Sequence, residues 1–84
     1  MTKYVLSAHA EIVVRERSIR SEWLERIPEK PEKTENDKAD TKLTHVLGRI
    51  SEHGNRVLRV VYNPTVYPVA VVTAYFGRAM RNKL

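Results

Sequence analysis

The chain of 84 residues contains no cysteine, an absence that removes disulfides, thiolate zinc sites and cysteine nucleophiles together. Its three histidines, His9, His45 and His53, match no metal-ligand spacing, so no metal and no cofactor is expected. Long apolar runs are missing as well. The longest, Val69 to Phe76, is interrupted by Thr73 and falls far short of the roughly 18 residues of a membrane span. The opening Met1-Thr2-Lys3-Tyr4-Val5-Leu6-Ser7 lacks the apolar stretch of about 7 to 15 residues that a signal peptide needs. Together these absences predict a cytoplasmic protein with no membrane partner.

Acid is scarce in one half of the chain. Residues 1–40 hold eight Lys/Arg and nine Asp/Glu, a net −1, whereas residues 41–84 hold seven and one, a net +6. Glu52 is the one acidic side chain after Asp40. A stretch so poor in acid raises a positive potential that attracts phosphate, which makes RNA the expected partner. The alternative is a basic surface that serves solubility alone. The length suits one core and not two, so residues 1–84 are read as a single domain.

Along the chain, Tyr4-Val5-Leu6 is β-prone, and from His9 to Arg17 the spacing turns helical, with Ala10, Val13, Val14 and Arg17 on one stripe. Ser7 is placed to cap that helix, its hydroxyl accepting from a free backbone N–H. A second helix is predicted from Ser21 to Ile27, where Trp23, Leu24 and Ile27 share a face and Pro28 follows as the stop. Residues 28–42, PEKPEKTENDKADTK, offer only Ala39 as an apolar residue and read as a mobile charged loop. From there the pattern is β: Leu43 to Ile50, a hairpin loop at Ser51 to Asn55, Arg56 to Asn63, and Val69 to Phe76. Short links between these strands imply an antiparallel meander. The expected class is α+β, a short N-terminal strand and two helices on a curled antiparallel sheet of three to four strands.

Alternation along strands decides which side chains can meet. His45 and Arg49 share one face of their strand, Arg59 and Asn63 one face of the next, and Thr73 and Tyr75 one face of the last. If these sets fall on the same side, the sheet carries an imidazole, guanidinium groups and a phenol. Such a set suits metal-free RNA cleavage, which needs a base for the ribose 2′-hydroxyl, an acid for the leaving oxygen and cations for the phosphate. His9, in the first turn of a helix, reads either as base or hydrogen-bond donor, or as the residue that fixes the strand-to-helix turn. His53 reads as a solvated loop residue and His45 as an ordinary exposed strand residue. Arg17 and Arg59 sit among apolar positions, where burial would demand a partner. Arg49, Arg78 and Arg81 are the candidate RNA contacts.

The run Leu6-Ser7-Ala8-His9-Ala10 leading to Glu16-Arg17-Ser18-Ile19, with Gly48 in the first hairpin strand and Val71-Val72-Thr73-Ala74-Tyr75 in the last, resembles a small bacterial domain-of-unknown-function family, the DUF 4258 type. That family is similar to BrnT and RelE toxins, whose fold sets two N-terminal helices against an antiparallel sheet and whose members include metal-independent ribonucleases. The resemblance implies that His9, Arg17, Thr73 and Tyr75 take the histidine, arginine, threonine and aromatic of the family motifs; Arg59, from the strand pattern, completes the candidate catalytic set. It also implies an antitoxin-like protein partner. The helix signature usually has an arginine where this chain has Val13. A different class of function, a non-catalytic module pairing through an open sheet edge or as a homodimer, is compatible with the same residues.

Overall fold

The computed structural model describes residues 4–77. Tyr4–Leu6 forms β1, and the chain then enters α1, Ala8–Glu16. Ser7 supplies the cap: its Oγ accepts from the Ala10 N–H at 3.0 Å and donates to the Val72 carbonyl at 3.0 Å, so one hydroxyl starts the helix and pins it to the last strand. The helix ends at Arg17, whose N–H reaches the Val13 carbonyl. Ser18 then takes a left-handed φ of 53° and Ile19 donates back to the Val14 carbonyl at 3.0 Å. This reversal satisfies the last carbonyls and drops Ile19 into the core.

The second helix, α2, spans Ser21–Glu29 and buries Trp23, Leu24 and Ile27. Pro28 lies inside it rather than stopping it. In the last turn the ring forfeits only the bond to the Leu24 carbonyl, and the helix closes with Lys30 donating to Arg26 at 3.1 Å.

Four more strands follow: β2 Lys33–Asn36, β3 Thr44–Ile50, β4 Arg56–Asn63 and β5 Val69–Phe76. A 3₁₀ turn, Ser51–His53, joins β3 to β4 and resolves through Gly54 and Asn55, both at positive φ. The five strands form one sheet in the order β1-β5-β4-β3-β2. The α+β class holds, and β3, β4 and β5 are the antiparallel meander that the pattern implies. Two expectations change. The sheet has five strands instead of three or four and is mixed, because β1 runs parallel to β5. The charged segment taken for a mobile loop contributes β2, paired antiparallel to β3 from Lys33↔Leu47 to Asn36↔Thr44. It still gives no residue to the core, since its sequence KTEN has nothing apolar to bury.

The core lies between the helices and one sheet face, where Ala10, Ile19, Trp23, Leu24 and Ile27 meet Val46, Ile50, Leu58, Val60, Val71 and Ala74. Gly48 belongs to this face, and a Cβ there would stand 2.7 Å from Ile27 Cδ1, so glycine lets α2 pass close over β3. Leu47, Val57 and Val61 are buried on the other face. One irregularity sets the site. Val61 pairs with Thr73 but Tyr62 pairs with Val71, leaving Val72 as an extra residue in β5. The bulge reverses parity, so Val71 packs beneath the helices while Thr73 and Tyr75 stand on the opposite face.

Candidate functional site

Because β1 ends at Leu6, opposite Val71, no described strand flanks β5 on that side from Thr73 onward. The α1 helix runs beside this edge, and between them opens a cleft of about 590 Å³. His9, Val13 and Arg17 line one wall, one residue from each successive turn of α1. Thr73, Tyr75 and Phe76 line another, and His53 and Arg56 close the end from the hairpin. Four of the sequence-predicted residues, His9, Arg17, Thr73 and Tyr75, therefore meet. Arg17 is exposed at the helix end and not buried on its apolar stripe, because the helix stops there and the side chain leaves the packed face. Val13 is an apolar stretch of wall, 6 % exposed.

His53 and Arg56 were not expected. The His53 ring, read from sequence as solvated, lies 4.9 Å from the Phe76 ring and 5.3 Å from Trp23, centroid to centroid. The Arg56 guanidinium sits 5.1 Å over Phe76. Nothing local to Ser51–Asn55 signals these contacts, which depend on α2 and β5 arriving at the same place. Among the described residues no carboxylate lines the cleft, and neither Arg17 nor Arg56 has an ion-pair partner.

Arg59 belongs elsewhere. It pairs with Tyr75 across β4 and β5 and shares that face, away from the helices, but its guanidinium turns to β2 and β3. Its NH1 donates to His45 Nδ1 at 2.7 Å and its NH2 lies 3.3 Å from Glu35. On its other side His45 meets Asp37 Oδ1 at 2.7 Å through Nε2. Both contacts are satisfied at once by the neutral imidazole with its proton on Nε2, donating to Asp37 and accepting from Arg59. His45 is thus a half-buried hub and not an ordinary exposed strand residue. These groups, with Tyr75, line a second cleft of about 490 Å³ that also carries Lys38. Backbone N–H groups of the 37–40 turn, Asp40's above all, together with His45 hold the Asp37 carboxyl below its usual range. Desolvation pushes Glu35 up, and the charges of Lys33 and Arg59 outweigh it, leaving that carboxyl low as well. Tyr75 lines both clefts and forms the partition between them.

Part of the charge asymmetry along the chain is cancelled in space, at Arg49 and Arg59. Arg49, a predicted RNA contact, is held by Glu32, which takes its backbone N–H at 2.6 Å and its guanidinium at 3.2 Å. Acidic residues of the 28–42 segment thus meet Arg49, Arg59 and His45, and the sheet face remote from the helices is balanced. Arg78 and Arg81, the other predicted contacts, lie outside the described residues. The described residues contain no cluster of acidic and imidazole groups able to hold a metal ion and no helix long and apolar enough to cross a membrane.

Fold and site together define a small α+β domain with a cationic cleft, lined by no carboxylate among the described residues, between its first helix and its last strand. The chain belongs to the family described as "Domain of unknown function (DUF4258)", whose model matches residues 6–76 and so takes in both walls of the cleft. No curated protein and no solved structure matches it.

Proposed function

We propose that the domain is RNA-directed and acts as a metal-independent endoribonuclease of the BrnT/RelE-like type, with the α1–β5 cleft as its active site. The observation that carries this reading is the cleft's inventory among the described residues: two imidazoles, two guanidinium groups without ion-pair partners, a hydroxyl and a phenol, and no carboxylate. Such a lining attracts a phosphodiester and supplies both proton-transfer groups. The second cleft suits phosphate less well, because Glu35 and Asp37 line it and Arg59 is committed to them through Glu35 and His45.

In the reaction proposed, His9 accepts the proton of a ribose 2′-hydroxyl as that oxygen attacks phosphorus. The bond from phosphorus to the 5′-oxygen breaks, and Tyr75 gives its proton to the leaving oxygen. Arg17 and Arg56 balance the charge that builds on the non-bridging oxygens, and Thr73 donates a hydrogen bond to one of them. The products are a 2′,3′-cyclic phosphate and a 5′-hydroxyl. An enzyme of this kind works in the cytoplasm, where its RNA is, and is held in check by an antitoxin-like protein. Pairing through the β2 edge is less well supported, since Lys33 and Glu35 put opposite charges 3.7 Å apart along that edge strand.

Incubation of the purified domain with total RNA in the presence of a chelator should give fragments with cyclic-phosphate ends. His9→Ala and Tyr75→Phe should each slow cleavage about 10²- to 10⁴-fold, the usual scale for loss of an acid–base group. Equal cleavage by wild type and both variants would remove these residues from the chemistry.

A further inference from the structure

The His53 ring lines the α1–β5 cleft on one side and a neighbouring depression on the other, where Ser18, Arg20, Trp23 and Glu52 complete the lining. This depression holds about 530 Å³. The ring is therefore the wall between two open spaces. It is partly exposed, and it is backed by two aromatic rings that neighbour each other at 6.1 Å, Phe76 at 4.9 Å and Trp23 at 5.3 Å from it and tilted 34° and 43° to it. A guanidinium stands on each side: Arg56 over Phe76 at 5.1 Å in the cleft, Arg20 over Trp23 at 5.9 Å in the depression. Glu52, the acidic group in the depression, is neutralised, both of its oxygens being held at 2.8 Å by Arg26.

We infer that this wall is a nucleobase subsite for a single-stranded RNA running from the cleft into the depression. The inference rests on the RNA-directed reading of the cleft and adds where the strand goes. A base next to the phosphate in the cleft stacks on the exposed part of His53, and the next phosphate reaches Arg20 by displacing its exposed contact with Glu22 at 3.5 Å. Stacking on a ring supported by two others needs no particular base identity, because every base presents a π-face. His53 is in this account a binding residue of the strand path and not the acid or base of the cleavage step. Its imidazole is replaceable by any flat ring of similar size.

The test uses the intact chain and two uncleavable probes of equal charge, a 2′-O-methyl hexauridylate and its counterpart with abasic residues. Binding is read by anisotropy of an end label. Wild type should hold the base-containing probe on the order of 10-fold more tightly than the abasic one, the scale of one stacked base. His53→Ala should bring that ratio to about 1, while His53→Phe should restore it. A ratio unchanged in His53→Ala, or Phe failing where Ala fails, would overturn the subsite. Wild type binding both probes equally would leave an RNA phosphate site standing and remove the base subsite. Wild type binding neither would overturn both.

Discussion

Glu52 shows how far a single side chain can be displaced by its surroundings. Two charge-assisted hydrogen bonds from Arg26, joined by the Trp23 indole N–H at 3.3 Å, lower its carboxyl from 4.5 to about 2. The group is depressed in the folded state, so its contribution is complete above the unfolded value and disappears as pH falls toward the folded one. Thermal melts of wild type and Glu52→Gln should differ most near neutrality. The gap should narrow between about pH 4.5 and about 2 and close below that; a gap constant down to pH 2 would contradict the pairing. None of this is legible in the sequence, where Glu52 is the isolated acid of a basic half and Arg26 lies on a different element. The same holds for His45 and His53. Each is polar and flanked by ordinary strand or loop residues, and each acquires its neighbours from elements distant along the chain. His9 and Arg17 were legible through the motif resemblance that names both, since helical spacing by itself set Arg17 with Ala10, Val13 and Val14 on the apolar stripe.

The elements that could be read from sequence are those whose patterns are local. Ser7 before a helical stripe announces α1, and the runs Arg56–Asn63 and Val69–Phe76 are strands at the predicted bounds. The β2 strand escaped because its identity is conferred by β3: Lys33, Thr34, Glu35 and Asn36 have no apolar alternation and form a strand only by accepting a ladder and charge partners. The bulge at Val72 escaped too, and with it the fact that Val71 and Thr73 point to opposite faces. Ser7 carries an element-scale consequence beyond capping, since its hydroxyl also fastens α1 to β5 beside that bulge. Ser7→Ala should cost about 1–2 kcal/mol in urea unfolding and should lower RNA cleavage as well, by loosening one wall against the other. A loss of stability with cleavage per folded molecule unchanged would show that the tie does not position the cleft.

At the scale of the whole molecule, the sequence's division into a neutral half and a basic half gives way to a different distribution. The acids of residues 32–37 fold against the basic strands, while Arg17 and Arg56, two cations without a salt-bridge partner among the described residues, line the α1–β5 cleft. Net charge of +5 therefore overstates the electrostatic hold that the proposed RNA-directed function would have. Each phosphate neutralised contributes about 0.7 to the slope of log affinity against log salt for a single strand. Arg56→Gln should reduce that slope by about this much, whereas Arg49→Gln, replacing a cation already engaged by Glu32, should leave it unchanged. Equal effects of the two would mean that overall charge governs binding and not the cleft.

The parallel pairing of β1 with β5 joins the first strand to the last. The helix that follows β1 carries one wall of the cleft, and β5 carries the other. During synthesis, therefore, His9 and Arg17 leave the ribosome long before Thr73 and Tyr75 exist, and no partial chain can assemble the pocket. The ribonuclease proposed above would be made beside a large amount of RNA. For that proposed activity, dividing the site between the first and last strands of the sheet means a delay until the whole domain has been translated, a safeguard that would follow from strand order alone.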